Sequence, residues 1–330
     1  MRTRRGVRAV LLVAALASVV WPLRPAAAST PNRHQLAGAQ TGVLVLVRRL
    51  TWDQAAAVAG RHGSPVTAGL VSTLPAGVPL EDRVLSLAAG RQVHADGLRV
   101  NEEAPDDVGV AAADRLRAAN PDADFGGLPP PRVLAEPGMA ATGLLALGAA
   151  GAPPPPAVLP ASGALLTVPG QLLVVGVADA WGLGRVLGRL ESPSPGGGRP
   201  RVLVVGLEPP PGRARTAPLL EFLGARLPGG VATSDSTRRD GLVAYQDVRP
   251  TLTGLTGSAS GTQGAPIRSL PNSDPLGFVG HLDRQVAALV EARGPAVVLY
   301  AALSTIAMAV CLAALLLALP RARRPAWAAG

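Results

Sequence analysis

The chain has 330 residues, 48% of them hydrophobic and only 3% aromatic, with 39 Gly, 33 Pro and a single Cys. The apolar content is sufficient for a large core and excludes a wholly disordered chain, and the single Cys excludes a disulfide framework and cysteine-based metal sites. The formal net charge is +9, but five arginines lie in residues 1–28 and three in the last ten residues, neither segment containing an acid. Residues 29–320 therefore carry a net charge of only about +1, and we predict no nucleic-acid partner. The arginines at the two ends of the chain instead indicate membrane topology.

The N-terminus has the composition of a signal peptide. A basic segment precedes an apolar run over residues 9–20, Pro22 interrupts that run, and three alanines at 26–28 supply the small residues that a signal peptidase needs. We therefore predict a signal peptide over residues 1–28, cleaved after Ala28, and a polar linker over 29–40. An uncleaved anchor is the alternative.

The C-terminus contains a candidate transmembrane helix. Residues 296–319 carry no charge and lie between Pro295 and Pro320. A helix of this length extends about 36 Å, which is enough to cross a hydrocarbon core of about 30 Å. Arginines follow directly, so the positive-inside rule places residues 321–330 in the cytoplasm. The sequence thus predicts a single-pass cell-membrane protein with a transmembrane helix over 295–320, an extracytoplasmic N-terminal domain and a cytoplasmic tail.

The segment between these ends alternates buried strands with helices. Continuous apolar runs predict strands at residues 43–47, 66–71, 164–168, 172–177 and 202–206, and helices are predicted at 52–61 and 180–190. Repeated strand–helix–strand units indicate an α/β fold over residues 41–256, with a mostly parallel sheet flanked by helices. Residues 257–294 are predicted to form a loop or stalk over 257–278, followed by a juxtamembrane helix over 282–292.

Two segments resemble motifs of the alkaline phosphatase superfamily. The sequence Asp247-Val-Arg-Pro-Thr-Leu, with Leu255 beyond it, resembles the D-[IV]-x-P-T-[IL] element that opens a helix late in that fold. Asp247 is accordingly predicted to cap a helix that has Pro250 in its first turn and is followed by Thr251.

The second segment, residues 84–91, resembles the helix that ends in a turn behind the superfamily's nucleophile. Here the turn is formed by Ala89 and Gly90. The order of elements is similar to that of actinobacterial envelope proteins with a signal peptide, an alkaline-phosphatase-like outward domain and membrane helices. This resemblance implies the fold of that superfamily.

At the positions where the superfamily has its catalytic residues, this chain carries other residues. The superfamily has a metal-binding Asp directly after its first strand, where this chain has Arg48 and Arg49, and an arginine cannot lose its proton to bind a cation. No Ser, Thr or Cys occupies residues 80–83, where the nucleophile is expected, and the four histidines lack metal-ligand spacing. We therefore expect no metal or cofactor and a non-catalytic relative. A metal-dependent phosphoester hydrolase or phosphotransferase is the alternative.

Candidate binding residues follow the predicted strands. They are Arg48, Arg49, Trp52 and Asp53 after the first strand, Asp179 and Trp181 after the strand at 172–177, and Ser234, Asp235, Thr237 and Arg238 in a polar segment. Because α/β folds bind ligands at the carboxyl edge of the sheet, we predict an anionic envelope ligand or a membrane partner there. The competing interpretations are solvated arginines, a Trp packed on the first helix, a helix cap at Asp179 and a polar turn. A structural subunit of a larger membrane assembly is a third functional hypothesis, because proteins with this arrangement usually carry several membrane helices.

Overall fold

The fold is described from a computed structural model of the chain. The described residues are 42–63, 65–75, 77–95, 110–123, 128, 131–148, 157–162, 165, 171–190, 200–209, 216–222, 229–256 and 263–322. The predicted signal peptide and linker, all but one residue of the strand predicted at 164–168, and residues 323–330 of the predicted tail lie outside these ranges.

The described strands form one mixed sheet, in which parallel pairs predominate. In chain order the strands are β1 (Gly42–Arg49), β2 (Val66–Ser72), β3 (Arg132–Ala135), β4 (Ala157–Val158), β5 (Leu172–Val177), β6 (Arg201–Glu208), β7 (Thr216–Phe222), β8 (Gly230–Thr233), β9 (Leu242–Val243) and β10 (Arg268–Pro271). Their order across the sheet is β10-β8-β2-β7-β6-β1-β5-β3-β4, and β9 pairs with β2. Among the described strands only β7 and β10 run against the others, so the predicted α/β class with a mostly parallel sheet is confirmed.

The first strand lies at the centre of the sheet. Its residue Val45 is opposite Val175 of β5 on one side and Val204 of β6 on the other, both in parallel register. Side chains 43–47 of β1 are all 0% exposed. A strand with neighbours on both edges and cover on both faces needs apolar residues at every position, which explains the unbroken Val–Leu run.

Helices cover both faces of the sheet. They are α1 (Trp52–His62), α2 (Leu80–Ala89), α3 (Val110–Ala119), α4 (Ala180–Leu190), α5 (Val248–Thr256) and α6 (Pro275–Ala322), with 3-10 helices at Ala140–Gly148 and Tyr245–Asp247. The odd-numbered β1 residues Val43, Val45 and Val47 pack with α1, α4 and the start of α6. The even-numbered Leu44 and Leu46 pack with α2, α5 and the first 3-10 helix on the other face.

The C-terminal part differs from the sequence prediction. Residues 268–271, predicted as loop or stalk, form β10 at the edge of the sheet, and α6 begins at Pro275 and continues without a break through Pro295. The early start is explained by Asp274, whose Oδ1 accepts the amide N–H of Gly277 at 2.9 Å, and by burial of Val279 and Leu282 against the domain.

Helix α6 is long and apolar enough to cross a membrane. Its residues 291–317 are all exposed, whereas its first three turns pack on the domain. This supports a membrane-anchored protein and is compatible with a single-pass one.

Packing at Gly176 gives a test of the fold. A Cβ added to this β5 residue would lie 2.5 Å from Cγ2 of Thr142 and 3.0 Å from Cβ of Met139. We expect Gly176→Ala to lower the free energy of unfolding by about 1–3 kcal/mol. The control is Gly188→Ala in α4, where an added Cβ meets nothing within 4 Å and alanine favours the helix by up to about 1 kcal/mol. Thermal unfolding of the full chain in detergent compares the two, and equal transition temperatures would contradict this packing.

Candidate functional site

The carboxyl ends of β1, β3, β5 and β6 meet at one edge of the sheet. Arg48 and Arg49 end β1 and both donate to the carboxylate of Glu208, which ends β6, at Nε–Oε distances of 2.9 and 3.3 Å. The side chain of Arg49 is exposed and that of Glu208 is largely buried. Two guanidinium groups on one carboxylate leave a net positive charge at the end of the central strand.

Three other predicted binding residues lie at helix starts. Trp52 is buried beneath α6, where its Nε1 lies 2.8 Å from the position that a Cβ on Gly280 would occupy. Asp53 is exposed in the first turn of α1. Asp179 caps α4, because its Oδ1 accepts the amide N–H groups of Trp181 and Gly182 at 2.9 and 3.0 Å.

The polar segment after β8 forms an internally bonded turn. The hydroxyl of Ser234 is buried and donates to Oδ2 of Asp247 at 2.6 Å, and that of Thr237 donates to the carbonyl of Leu242. Asp235 pairs with Arg268 of β10 at 2.8 Å. Arg238 is exposed in the same turn. The hydroxyls of these predicted binding residues are thus engaged with the protein itself.

Asp247 lies inside the first helical turn and connects the segments around it by hydrogen bonds. Its carboxylate is 0% exposed and accepts four hydrogen bonds, from the hydroxyls of Ser234 and Ser236 and from the backbone N–H groups of Ala244 and Ala265. The helical run begins with the 3-10 turn at Tyr245, so Asp247 caps from within the first turn rather than from the preceding position that the sequence predicts. A buried carboxylate is stabilised by such donors when no cation is beside it.

The remaining motif residues connect α2, α5 and the segment before β10. Pro250 lies in the first turn of α5 as predicted, and the hydroxyl of Thr251 donates to the carbonyl of Asp247 and accepts the amide N–H of Ile267. Gly90 ends α2 with a φ of +67°, and the carbonyl of Ala89 accepts from the buried Arg249 at 3.0 Å.

A small, half-open cleft with a cavity volume of about 20 Å³ lies at the carboxyl ends of β2 and β6. Apolar side chains of β2, α2 and β6 supply most of its walls, and Arg83 and four hydroxyl-bearing residues complete it. Its lining residues are Val71, Ser72, Thr73, Leu74, Arg83, Ser86, Leu87, Val205, Gly206, Leu207 and Tyr245.

Arg83 fixes the loops around this cleft. Its guanidinium group is buried and donates to four backbone carbonyls, those of Leu74, Pro75, Val78 and Leu207. Burial lowers the pKa of Arg83, and the nearby charge of Glu208 opposes that shift. Because the side chain is committed to carbonyls that end β2 and β6, it acts as a positioning residue for the cleft.

The hydroxyls at the cleft differ in their bonding. Ser86 both donates to and accepts from the backbone of Val93, and Ser72 accepts the amide N–H of Tyr245. Burial raises the pKa of the Tyr245 phenol, against the charge of Arg91 and a backbone hydrogen bond from Gln92. The buried Oγ1 of Thr73 has no hydrogen-bond partner within the described part of the chain. A buried hydroxyl without a partner is costly, and this one belongs to a residue that lines the cleft.

Potential metal ligands are dispersed where the structure describes them. Within the described ranges, no three His, Cys, Asp or Glu side chains lie close enough together to hold a metal ion. Nδ1 of His94 lies 3.2 Å from Oδ2 of Asp82.

Comparison of the chain with protein-family models, with curated proteins and with solved structures gives no significant match. The resemblance to the alkaline phosphatase superfamily therefore stays a prediction.

Sequence reasoning missed Arg83 and Thr73. The available signal for Arg83 was its charge within the helix Leu80–Ala89. Every residue of that helix from Asp82 to Ala89 is buried. Nothing local indicated Thr73, because its significance depends on the absence of a partner in three dimensions.

Replacing Arg83 tests its positioning role. We expect Arg83→Met to lower the free energy of unfolding by about 3 kcal/mol or more, because four carbonyls lose their donor. Arg61→Met, at the exposed end of α1, is the control and should cost less than about 1 kcal/mol. Denaturant unfolding of the full chain in detergent measures both, and a loss at Arg83 no larger than that at Arg61 would refute the role.

Asp247 and Asp179 form a second matched pair. Asp247→Ala should destabilise the protein by about 3 kcal/mol or more, because four donors lose a buried acceptor. Asp179→Ala removes two exposed capping bonds, which typically contribute about 1 kcal/mol. The same unfolding measurement ranks the two variants, and the reverse order would show that the Asp247 network is not structurally important.

Proposed function

We propose that the protein is a single-pass membrane-anchored binding protein of the cell envelope. Its α/β domain faces outward, has the element order of an alkaline phosphatase without that superfamily's metal chemistry, and binds a ligand at the carboxyl edge of the sheet. The observation that carries the proposal is the cleft itself, which joins apolar walls to the buried, unpartnered hydroxyl of Thr73.

Charge at the edge supports binding rather than two-metal catalysis. Arg48, Arg49 and Arg83 surround the single carboxylate of Glu208. An excess of guanidinium groups repels a divalent cation, and the resemblance places the metal at this strand end.

The chemistry of the cleft favours a small uncharged group. Arg83 already donates to four carbonyls, and Arg48 and Arg49 already donate to Glu208, so an anion would compete with existing partners. Apolar walls suit a methyl group, and one hydroxyl suits one carbonyl or amide. An acetamido group, as found on acetylated envelope sugars, combines the two.

Thr73→Val tests the proposal in the full chain in detergent. The probes are N-acetylglucosamine and acetamide, with acetate and inorganic phosphate as anions of similar size. We expect the neutral probes to raise the unfolding temperature of the wild type, since a ligand at ten times its Kd adds about 1.4 kcal/mol. Thr73→Val should lose that shift yet be no less stable on its own, because a partnerless hydroxyl is removed.

Thr216→Val is the matched control. Its Oγ1 is also buried without a partner among the described residues, but Thr216 does not line the cleft. This variant should keep the probe-induced shift. A shift that is lost equally in both variants, or that is absent for all neutral probes in the wild type, would contradict a ligand site at Thr73.

Elemental analysis of protein purified without chelator tests the alternatives. About two divalent ions per chain, with phosphoesterase activity lost on chelation, would replace the proposal by a metal-dependent hydrolase. A stable hetero-complex in detergent with no ligand shift would instead favour a structural subunit.

A further inference from the structure

We infer that the carboxyl edge of the sheet faces the lipid bilayer, so that Trp181 lies near the lipid headgroups. The inference rests on the proposed membrane span in α6. It assigns an interaction surface to the domain, and the bilayer surface is its partner.

The direction of α6 follows from its contacts. Pro271, which ends β10 shortly before the helix, is paired with Gly230 at the amino end of β8, so α6 starts near the amino edge of the sheet. Further along, Gly241 packs against Phe278 and Leu282, and its carbonyl accepts the amide N–H of Leu70, near the carboxyl end of β2.

The next turn of α6 reaches the carboxyl edge. Gln285 accepts a hydrogen bond of 2.7 Å from Arg239, which lies in the turn beyond the carboxyl end of β8. Gly280 already lies against Trp52, three residues past the end of β1. The helix therefore runs from the amino edge to the carboxyl edge and leaves the domain there.

Continuity of the helix sets the distance to the membrane. From Gln285 to Arg293, the last charged residue before the apolar stretch, eight residues rise about 12 Å. Arg293 is long enough to reach the headgroups from the end of the span. The carboxyl edge thus lies within about 12 Å of the lipid headgroups, measured along the helix axis.

Trp181 is placed to contact this layer. It lies at the start of α4, at the carboxyl edge and on the same face of the sheet as α1 and α6. The residue is 69% exposed, and the guanidinium carbon of Arg185 lies 3.9 Å from the centre of its ring. An exposed aromatic ring beside an arginine is the pattern that proteins place at the membrane interface.

Energy transfer from tryptophan to dansyl-labelled headgroups tests the inference. The full chain is reconstituted in vesicles of phosphatidylcholine and phosphatidylglycerol, with Trp21 and Trp327 replaced by Phe. Trp181 is the reporter, and Trp181→Phe gives the background from the buried Trp52. The matched control carries Trp181→Phe and Arg61→Trp, which places the reporter near the C-terminal end of α1, about 13 Å along that helix from its start at the carboxyl edge.

We expect at least twofold more transfer from position 181 than from position 61. Equal transfer, or more from position 61, would overturn the orientation. That failure is distinguishable from failure of the proposed function, because the probe-induced shift and its loss in Thr73→Val are measured in detergent. If the full chain does not sediment with the vesicles, the membrane span itself is refuted, and both proposals lose their common basis.

Discussion

The structure depends on the complete burial of β1 between β5 and β6. Val43 to Val47 are 0% exposed and paired in parallel register on both edges, so both faces of β1 need the cover that the helices supply. The same constraint decides where polar groups can first appear. That position is the carboxyl end of β1, where Arg48 and Arg49 meet Glu208 across the sheet.

Polar groups at the carboxyl edge are largely committed to holding the protein together. Arg83 bonds four carbonyls, Asp247 accepts four donors and Asp179 caps α4. A ligand at this edge therefore meets a preformed surface, in which few groups would have to change partners on binding. Among the described cleft residues, the hydroxyl of Thr73 is the group whose bonding a ligand would complete.

Local patterns determined how much of the fold could be predicted. The strand Leu172–Val177 and the helix Ala180–Leu190 have the predicted bounds, because a buried apolar run followed by a helical period is a local signal. β7 was not predicted, since it contains Pro218 and Glu221. Glu221 is buried through an ion pair with Arg201 of β6, and a partner twenty residues away leaves no local trace.

Site residues divide in the same way. The cap at Asp179 and the turn at Gly90 follow from local chemistry, and the sequence suffices for them. By contrast, the roles of Asp247 and Arg83 depend on partners that the fold brings together. Asp247 binds groups 3 to 18 residues away, and Arg83 binds three carbonyls within nine residues and the carbonyl of Leu207, 124 residues away. The motif around Asp247 located a buried, highly bonded residue, but its four partners come from segments on both sides of α5.

A continuous α6 joins the α/β domain to the proposed membrane span. A flexible stalk, as the sequence predicted for residues 257–278, would let the domain turn freely above the membrane. With β10 in the sheet and α6 packed from Val279 onward, the domain and the span share one helix, and rotation of the domain would require breaking that packing. In the proposed orientation, the cleft at the ends of β2 and β6 lies close to the bilayer, which would favour a ligand that is itself attached to the membrane or confined to its surface. Such confinement would raise the effective concentration of a weakly binding group, so that a small neutral cleft could be occupied at a lower intrinsic affinity.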